Sequence, residues 1–596
     1  MSRCHHRVVK KALAALLSAS LALSTPWAQA QVRLPALGDS ASEDLPVGAE
    51  RRLGEQIMRE IKRDPAYLDD PVLLDYVRSL WAPLLQAARA RGDIGAEIEQ
   101  AFAWNLFLVQ DRSVNAFALP GGHVGVHLGL IAVTATRDEL AAVLAHELSH
   151  VSQRHIARSM GSASRQGALG VAAMLLGVLI AARSSNPDAA QAAIAGGQAA
   201  MIQGQLNFSR DMEREADRIG YGVFRDAGFA APGMAAMFDK LDKASRLNDS
   251  GGFPYLRSHP LTSERMAEAR SRLSDLSGAA GVGLDALHEL MQARARALME
   301  PTVDNWRRLV AQAQTAVPTA GGASAGSAGG SQAGRPGALY AGALAAARLN
   351  DHQTAAALKE ELLRSVDTGS LHSRQAAHML NAELALARAA PQAAQQALAS
   401  LNALKAMTAV DAASATAPQP PSAGAGSSAA ARQTQAGQRA LLLLRSQITL
   451  AAAPAARAQG DLGQDAALRE TLESLQTWVA EHRDDATAWL LLSQASEALG
   501  LQLRALRAQA EARAALGDLG AAIDRLRAAQ ARSRTATGGG DFIEASIIDT
   551  RLRELQALRR QELAEMRSQR GGSGPREPLV EDTPEPARPA PYGLPR

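Results

Sequence analysis

The stretch Val143-Leu-Ala-His-Glu-Leu-Ser-His-Val-Ser-Gln-Arg-His155 holds three of the chain's 13 histidines and has no proline or glycine. It constrains the fold strongly. His146-Glu147-Leu148-Ser149-His150 is an H-E-x-x-H run, and on a helix positions i and i+4 lie one above the other, about 40° apart in projection. Two imidazoles then reach one Zn2+ from one face, and Glu147 is placed to receive a proton from a water on that metal. Thr136-Arg-Asp-Glu139 has the spacing of a capping box and opens the helix. His155 lies nine residues after His146, about 180° round the same helix. It is therefore expected to make a polar contact or to end the helix, and not to share the metal.

A zinc hydrolase needs a third protein ligand and one open position. The candidate stretch is Asn207-Phe-Ser-Arg-Asp-Met-Glu-Arg-Glu-Ala-Asp217, on a second helix read from Ser209 to Ala227 and closed by Gly228. Glu213 and Asp217 share one face of it. Glu213 can ligate, and Asp217 can hydrogen-bond a ligand histidine and fix its tautomer. Ala216 is small enough to let the two helices approach.

Before the zinc helix the period changes. Trp104–Gln110, Val114–Leu119 and His123–His127 read as short strands, with Pro120-Gly121-Gly122 as a turn. These predict a small antiparallel β-sheet within a mainly α fold. Helices are expected around Ala49–Lys62 and Pro71–Ala90, and again over Thr262–Arg272.

At 596 residues the chain exceeds a single hydrophobic core, which stops growing at roughly 250–300 residues. Apolar residues make up 47% and aromatics only 4%, which suits closely packed Ala-rich helices. The first 30 residues read as an export signal: a basic start, an apolar run from Ala12 to Leu23, and Ala28-Gln29-Ala30 as the cleavage site. The mature chain would then start at Gln31 and lie in the periplasm. Cys4 is the only cysteine, so the mature chain has no disulfide and no thiolate. Cleavage removes four basic residues and no acid, so the 63 basic residues fall by four to 59 against 60 acids. Such a balance gives no ground for nucleic-acid binding.

The chain is expected to divide into a flexible lead over 31–45, a catalytic region over 46–283 and helical repeats over 284–570. A Pro-rich tail covers 571–596. Within the catalytic region, 160–204 is an Ala/Gly/Gln-rich excursion read as a mobile flap or lid. Its apolar run 167–182 reads either as a buried helix or as the part of that flap that would touch substrate or make peripheral membrane contact. Flexible insertions are expected at 315–337 and 408–436. Gly500 and Gly517 stand 17 positions apart, half the period of a tetratricopeptide repeat.

His146-Glu-Leu-Ser-His150 with Glu213-x-x-Ala-Asp217 resembles the M48 family of zinc metallopeptidases. Asn115-Ala-Phe-Ala-Leu-Pro-Gly-Gly122 and Ser258-His259-Pro260 add to that resemblance. It implies a zincin-like domain, followed here by tetratricopeptide-like repeats. It also implies one Zn2+ per chain on His146, His150 and Glu213, with Glu147 as general base. His259 would either donate to the developing oxyanion or take the fourth metal position, with a loop-capping role as the alternative. Tyr255 is a further oxyanion candidate. An extended substrate could pair with a sheet edge around Gly122–His127, which points to Asn115, Gly122, His123 and Val124 as substrate-binding residues.

The whole chain is similar to periplasmic members of the family that act in outer-membrane protein assembly. The partners implied are unfolded or misassembled outer-membrane proteins, with the barrel-assembly machinery docking on the repeats. The competing reading is a repeat-based chaperone or scaffold in which proteolysis is secondary.

Overall fold

The computed structural model describes residues 45–161, 210–247, 255–274, 285–317, 334–367, 369–388, 438–458, 463–534 and 541–569, with 396 and 399 beside them. The export signal, almost all of the 31–45 lead and the tail lie outside these residues. So do 162–204 of the proposed flap, including 167–182, and the whole of the 408–436 insertion.

Helix α1 (Val47–Arg63) leads through β1 (Tyr67–Leu68) to α2 (Pro71–Arg91). Asp70 caps α2 by accepting from the Leu73 N–H at 2.9 Å, and Pro71 occupies a first-turn position. After the short α3 (Ala96–Ala101) come β2 (Asn105–Val109), β3 (Ala116–Leu119) and β4 (His123–His127). The strands lie in the order β1-β2-β4-β3. β3 and β4 form the expected hairpin, turning at Gly121 and Gly122 with φ of +75° and +85°. β4 inserts between β3 and β2 and runs parallel to β2, with Asn105 opposite His123. The sheet is therefore mixed, not antiparallel throughout. Gly125 is the place where this pairing needs a glycine, because an added Cβ would fall 2.5 Å from the Phe117 ring and 2.8 Å from the Phe107 ring.

Helix α4 (Leu128–Val133) precedes α5 (Arg137–Ser152), the zinc helix of the sequence reading. Thr136 accepts from the Glu139 N–H, and the Glu139 carboxylate reaches back to the Ala135 N–H at 2.6 Å. From Asp138 to Ser152 every residue of α5 is buried, between α2, β3 and the helices that follow. The short α6 (His155–Gly161) follows at once, then α7 (Arg210–Asp226), α8 (Pro232–Leu247), α9 (Tyr255–Ser258) and α10 (Ser263–Ser274).

The remaining described elements are helices: α11 (Ala286–Met299), α12 (Val303–Thr315), α13 (Arg335–Arg348), α14 (His352–Val366), α15 (Leu371–Ala387), α16 (Gln438–Ala458), α17 (Gly463–Glu481), α18 (Ala486–Ala498), α19 (Gln502–Ala515), α20 (Leu519–Ser533) and α21 (Asp541–Gln569). Asp351, Asp485 and Asp518 cap α14, α18 and α20. Gly500 and Gly517 turn the chain between helices at φ of +74° and +78°. Both ends of the 315–337 stretch lie in helices. Thr315 closes α12 and Arg335 opens α13, and residues 318–333 lie outside the described set.

One cluster of buried apolar side chains runs from Val47 to Ala452. It passes through the sheet, α2, α5 and α7 into α11, α13, α15 and α16, so the compositional change near residue 284 is not a break in the core. Two buried arginines tie the halves together. Arg294 on α11 donates to both oxygens of Asp70 at 2.8 Å and to Glu383 on α15 at 2.9 Å. Arg439 on α16 bridges Asp69 and Asp485 at 2.7 to 2.8 Å. No helix among the described residues is long and apolar enough to cross a membrane.

Candidate metal centre and active site

Helices α5 and α7 pack face to face. Ala216 is fully buried at the contact, and at Gly220 a Cβ would stand 3.1 Å from the Ala145 carbonyl oxygen. That closeness brings the face of α7 carrying Glu213 and Asp217 onto the face of α5 carrying His146 and His150.

Four donors converge there: His146, His150, Glu213 and His259, all buried, with ligand atoms within 4.8 Å of one another. His146 Nε2 lies 3.0 Å from His150 Nε2 and 3.4 Å from Glu213 Oε2, and His150 Nε2 lies 3.5 Å from Glu213 Oε1. Ligands at the usual zinc distances of about 2.0–2.1 Å stand roughly 3.3–3.4 Å apart at the corners of a tetrahedron. The three donors therefore fit such an ion. His259 Nδ1 fits the fourth corner, 3.3 Å from His146 Nε2 and 3.0 Å from Glu213 Oε1.

Electrostatics favour positive charge at the same point. Burial disfavours a charged His146, yet Asp217 and Glu213 outweigh it and raise its pKa to about 9. Burial also penalises the Glu213 carboxylate, but His259 and His146 hold it ionised, well below the usual range. His150 is pushed the other way, well below its ordinary value, by burial and then by the neighbouring His146 and His259. It stays neutral, with a lone pair to give. Glu147 is fully buried, and neither of its oxygens has a hydrogen-bond partner among the described residues. A carboxylate so placed is costly without a polar group to serve. His259 Nε2 is 3.6 Å from its Oε1.

Asp217 Oδ1 lies 3.0 Å from His146 Nδ1, where it can hold that ring's tautomer. The sequence reading did not include Arg265, in the first turn of α10. Its Nε and Nη2 donate to the two oxygens of Asp217 at 2.6 and 2.8 Å, and its Nη1 lies 2.9 Å from Glu213 Oε2. The same Nη1 donates to the Pro260 carbonyl at 2.8 Å. One guanidinium thus aligns both carboxylates and anchors the segment that bears His259. Its only trace in the sequence is its place six residues after His259. Tyr255 is buried, and its ring stacks on His259 at 4.7 Å.

His155 is not at 180° from His146 on one helix. Helix α5 stops at Ser152, Arg154 takes φ of +52°, and α6 begins at His155. The break turns the His155 ring back, and its Nδ1 is 2.8 Å from His150 Nδ1. The expected polar contact is present, on a path that helical projection does not give.

The substrate-binding residues divide. β4 pairs on both sides, so Gly122, His123 and Val124 are not at a sheet edge. The hairpin folds outward past β4, which leaves β3 as the outer strand on that side. Asn115 stands just before β3, buried, with its Oδ1 unpaired among the described residues. His123 instead lines a cavity of about 150 Å³ with Arg51, Glu55 and Gln100, and no member of the four-donor cluster lines it.

Residues 85–273 match the model of Peptidase family M48. They form an M48 peptidase domain. Over 273 residues the chain is 33% identical to the β-barrel assembly-enhancing protease of Escherichia coli strain K12, which covers 45% of this chain and 54% of the relative. The protein of the same name from Yersinia pestis is 34% identical over 247 residues, 41% of this chain and 48% of the relative. Metalloprotease LoiP of Escherichia coli strain K12 is 31% identical over 175 residues, 29% of this chain and 64% of the relative. The chain thus spans about half the length of the assembly-enhancing proteases it matches. The M48 domain contains the whole four-donor cluster together with Glu147, Asp217 and Arg265.

Proposed function

We propose that the chain is a zinc-dependent endopeptidase of the periplasm that cleaves misfolded or stalled outer-membrane β-barrel proteins. The observation that carries the chemistry is the buried cluster of His146, His150, Glu213 and His259 with the open carboxylate of Glu147 beside it. The M48 match supports the same chemistry. His146, His150 and Glu213 would hold the zinc ion, which would supply Lewis-acid polarisation of the peptide carbonyl and acidify the attacking water. Glu147 takes the proton of the attacking water and returns it to the leaving amine. Asp217 holds the His146 ring, and Arg265 holds the two carboxylates. His259, with Nδ1 3.3 Å from His146 Nε2 and 3.0 Å from Glu213 Oε1, would mask the metal position and would have to withdraw before water and substrate enter.

The names of the relatives support the substrate class, and the export signal supports the compartment. An extended polypeptide would pair with β3, beside Asn115, because β4 has no free edge. The helical hairpins, with turns at Gly500 and Gly517, support tetratricopeptide-like repeats that dock substrate or assembly machinery.

Purified chain should hold one zinc and cleave casein or an unfolded barrel protein, lose that activity to a chelator and regain it with Zn2+. Glu147→Gln should keep the metal and lose activity by about 10²–10⁴-fold; wild-type cleavage by that variant would sink the mechanism. His259→Phe should cleave faster, and unchanged activity on peptide and protein alike would retire its masking role. Full rescue of outer-membrane defects by Glu147→Gln in cells would favour the scaffold reading.

A further inference from the structure

Of the three histidines between Val143 and His155, two enter the donor cluster and the third has no role in the chemistry above. An unbroken helix would turn His155 about 140° away from His150. The break that prevents this is held from outside the helix. Arg154, in the left-handed region, places Nε 2.9 Å from Glu50 Oε2 and donates through Nη2 to the Leu45 carbonyl at 2.5 Å. His155 is fully buried behind His150, with ring centroids 4.8 Å apart and planes at 76°. Its Nε2 faces Glu215 Oε2 at 3.2 Å, and Arg158 Nη1 holds that same oxygen at 2.8 Å. Glu215 stands on α7, two residues beyond Glu213.

We propose that His155 is a positioning residue for the metal ligand His150, and that Glu215 sets the direction of the hydrogen bonds through it. The inference rests on the metal-site reading above. A neutral imidazole carries one proton. For His150 Nε2 to ligate, the proton must be on Nδ1, where it donates to His155 Nδ1. His155 must then carry its own proton on Nε2, where it donates to the Glu215 carboxylate. The reverse order would protonate the ligating nitrogen of His150 and set a bare His155 nitrogen against a carboxylate, two acceptors face to face. A carboxylate can only accept, so Glu215 excludes that order. One charge at the rim of the site thus selects both tautomers and keeps the lone pair of His150 on the metal. Asp217 does the same for His146, so each ligand histidine has its own carboxylate, one directly and one through a second ring.

The test uses the full chain and reads zinc affinity by competition with a chromophoric chelator, together with the visible spectrum of the Co2+-loaded protein. His155→Phe keeps the ring volume and removes both hydrogen bonds. It should weaken zinc by about 10–100-fold and alter the Co2+ bands. His155→Gln can accept through its amide oxygen and donate through its amide nitrogen, and should return most of the affinity. Wild-type affinity in His155→Phe, or equal losses in both variants, would overturn the proposal. If His155→Phe does not fold, Glu215→Ala decides, since Glu215 is partly exposed. Weaker zinc binding is expected, and an unchanged constant would overturn the proposal. A wild-type chain that binds no zinc would overturn the metal-site reading as well, whereas a wild type that binds with unaffected variants overturns this inference alone.

Discussion

Arg265 touches four oxygens: both of Asp217, one of Glu213 and the Pro260 carbonyl. It is almost wholly buried, as are both carboxylates. Removing one partner from a buried ionic cluster costs about 3–5 kcal/mol, because the charges left behind have no water. Arg265→Met should therefore lower the thermal midpoint of the metal-loaded chain sharply. Arg265→Lys keeps the charge but not the fork, and should fall between the two. Equal midpoints for Arg265→Met and wild type would refute this account. The H-E-x-x-H residues are legible in the sequence because their geometry is local to one helix, and Glu213 and Asp217 are legible as a spaced pair. Arg265 and the contact of His155 with His150 are not legible. The first depends on how α10 meets α7, and the second on a helix break at Arg154 that nothing in the apolar period announces.

Among the elements, α1 packs Ile57, Met58 and Ile61 on Phe107, Val109 and Leu119, and it meets the hairpin turn backbone to backbone. A Cβ on Gly54 would stand 2.0 Å from the Pro120 carbonyl oxygen, backbone against backbone, so no rotamer change relieves it. Alanine is better than glycine inside a helix by about 1 kcal/mol, but overpacking costs about 1–3 kcal/mol or more. Gly54→Ala should therefore lower the thermal midpoint. Gly48→Ala on the same helix meets only the end of Arg52 at 3.7 Å and should be neutral or stabilising. Matching midpoints for the two variants would contradict this packing. The strands were readable from alternation and turn residues, and their pairing was not. Alternation says which side chains share a face, not which strand lies beside which. Alternation therefore suggests an edge at β4, whereas the outer strands are β3 and β1.

For the whole molecule, the change of composition near residue 284 marks a change of architecture and not a gap in the core. Asp75 on α2 lies in the seam, where its Oδ2 accepts from the Ala440 N–H at the start of α16 at 2.9 Å. Burial outweighs that hydrogen bond and the nearby arginines, and lifts its pKa from 3.8 to about 6. A carboxyl raised on folding contributes stability below pH 4 and loses it as pH climbs through 6. At neutral pH the cost is about 3 kcal/mol, from 1.36 kcal/mol per pKa unit. Asp75→Asn should melt higher than wild type at pH 7.5 and level with it near pH 4. A difference that does not change with pH would disprove the assignment.

The run of buried side chains from α2 and α5 into α11, α13, α15 and α16 also bears on modularity. These later helices cover apolar surface that the M48 domain would otherwise turn to water. A transplant of the M48 domain to a new scaffold must carry them along, and an exchange of the C-terminal helices has to begin beyond α16.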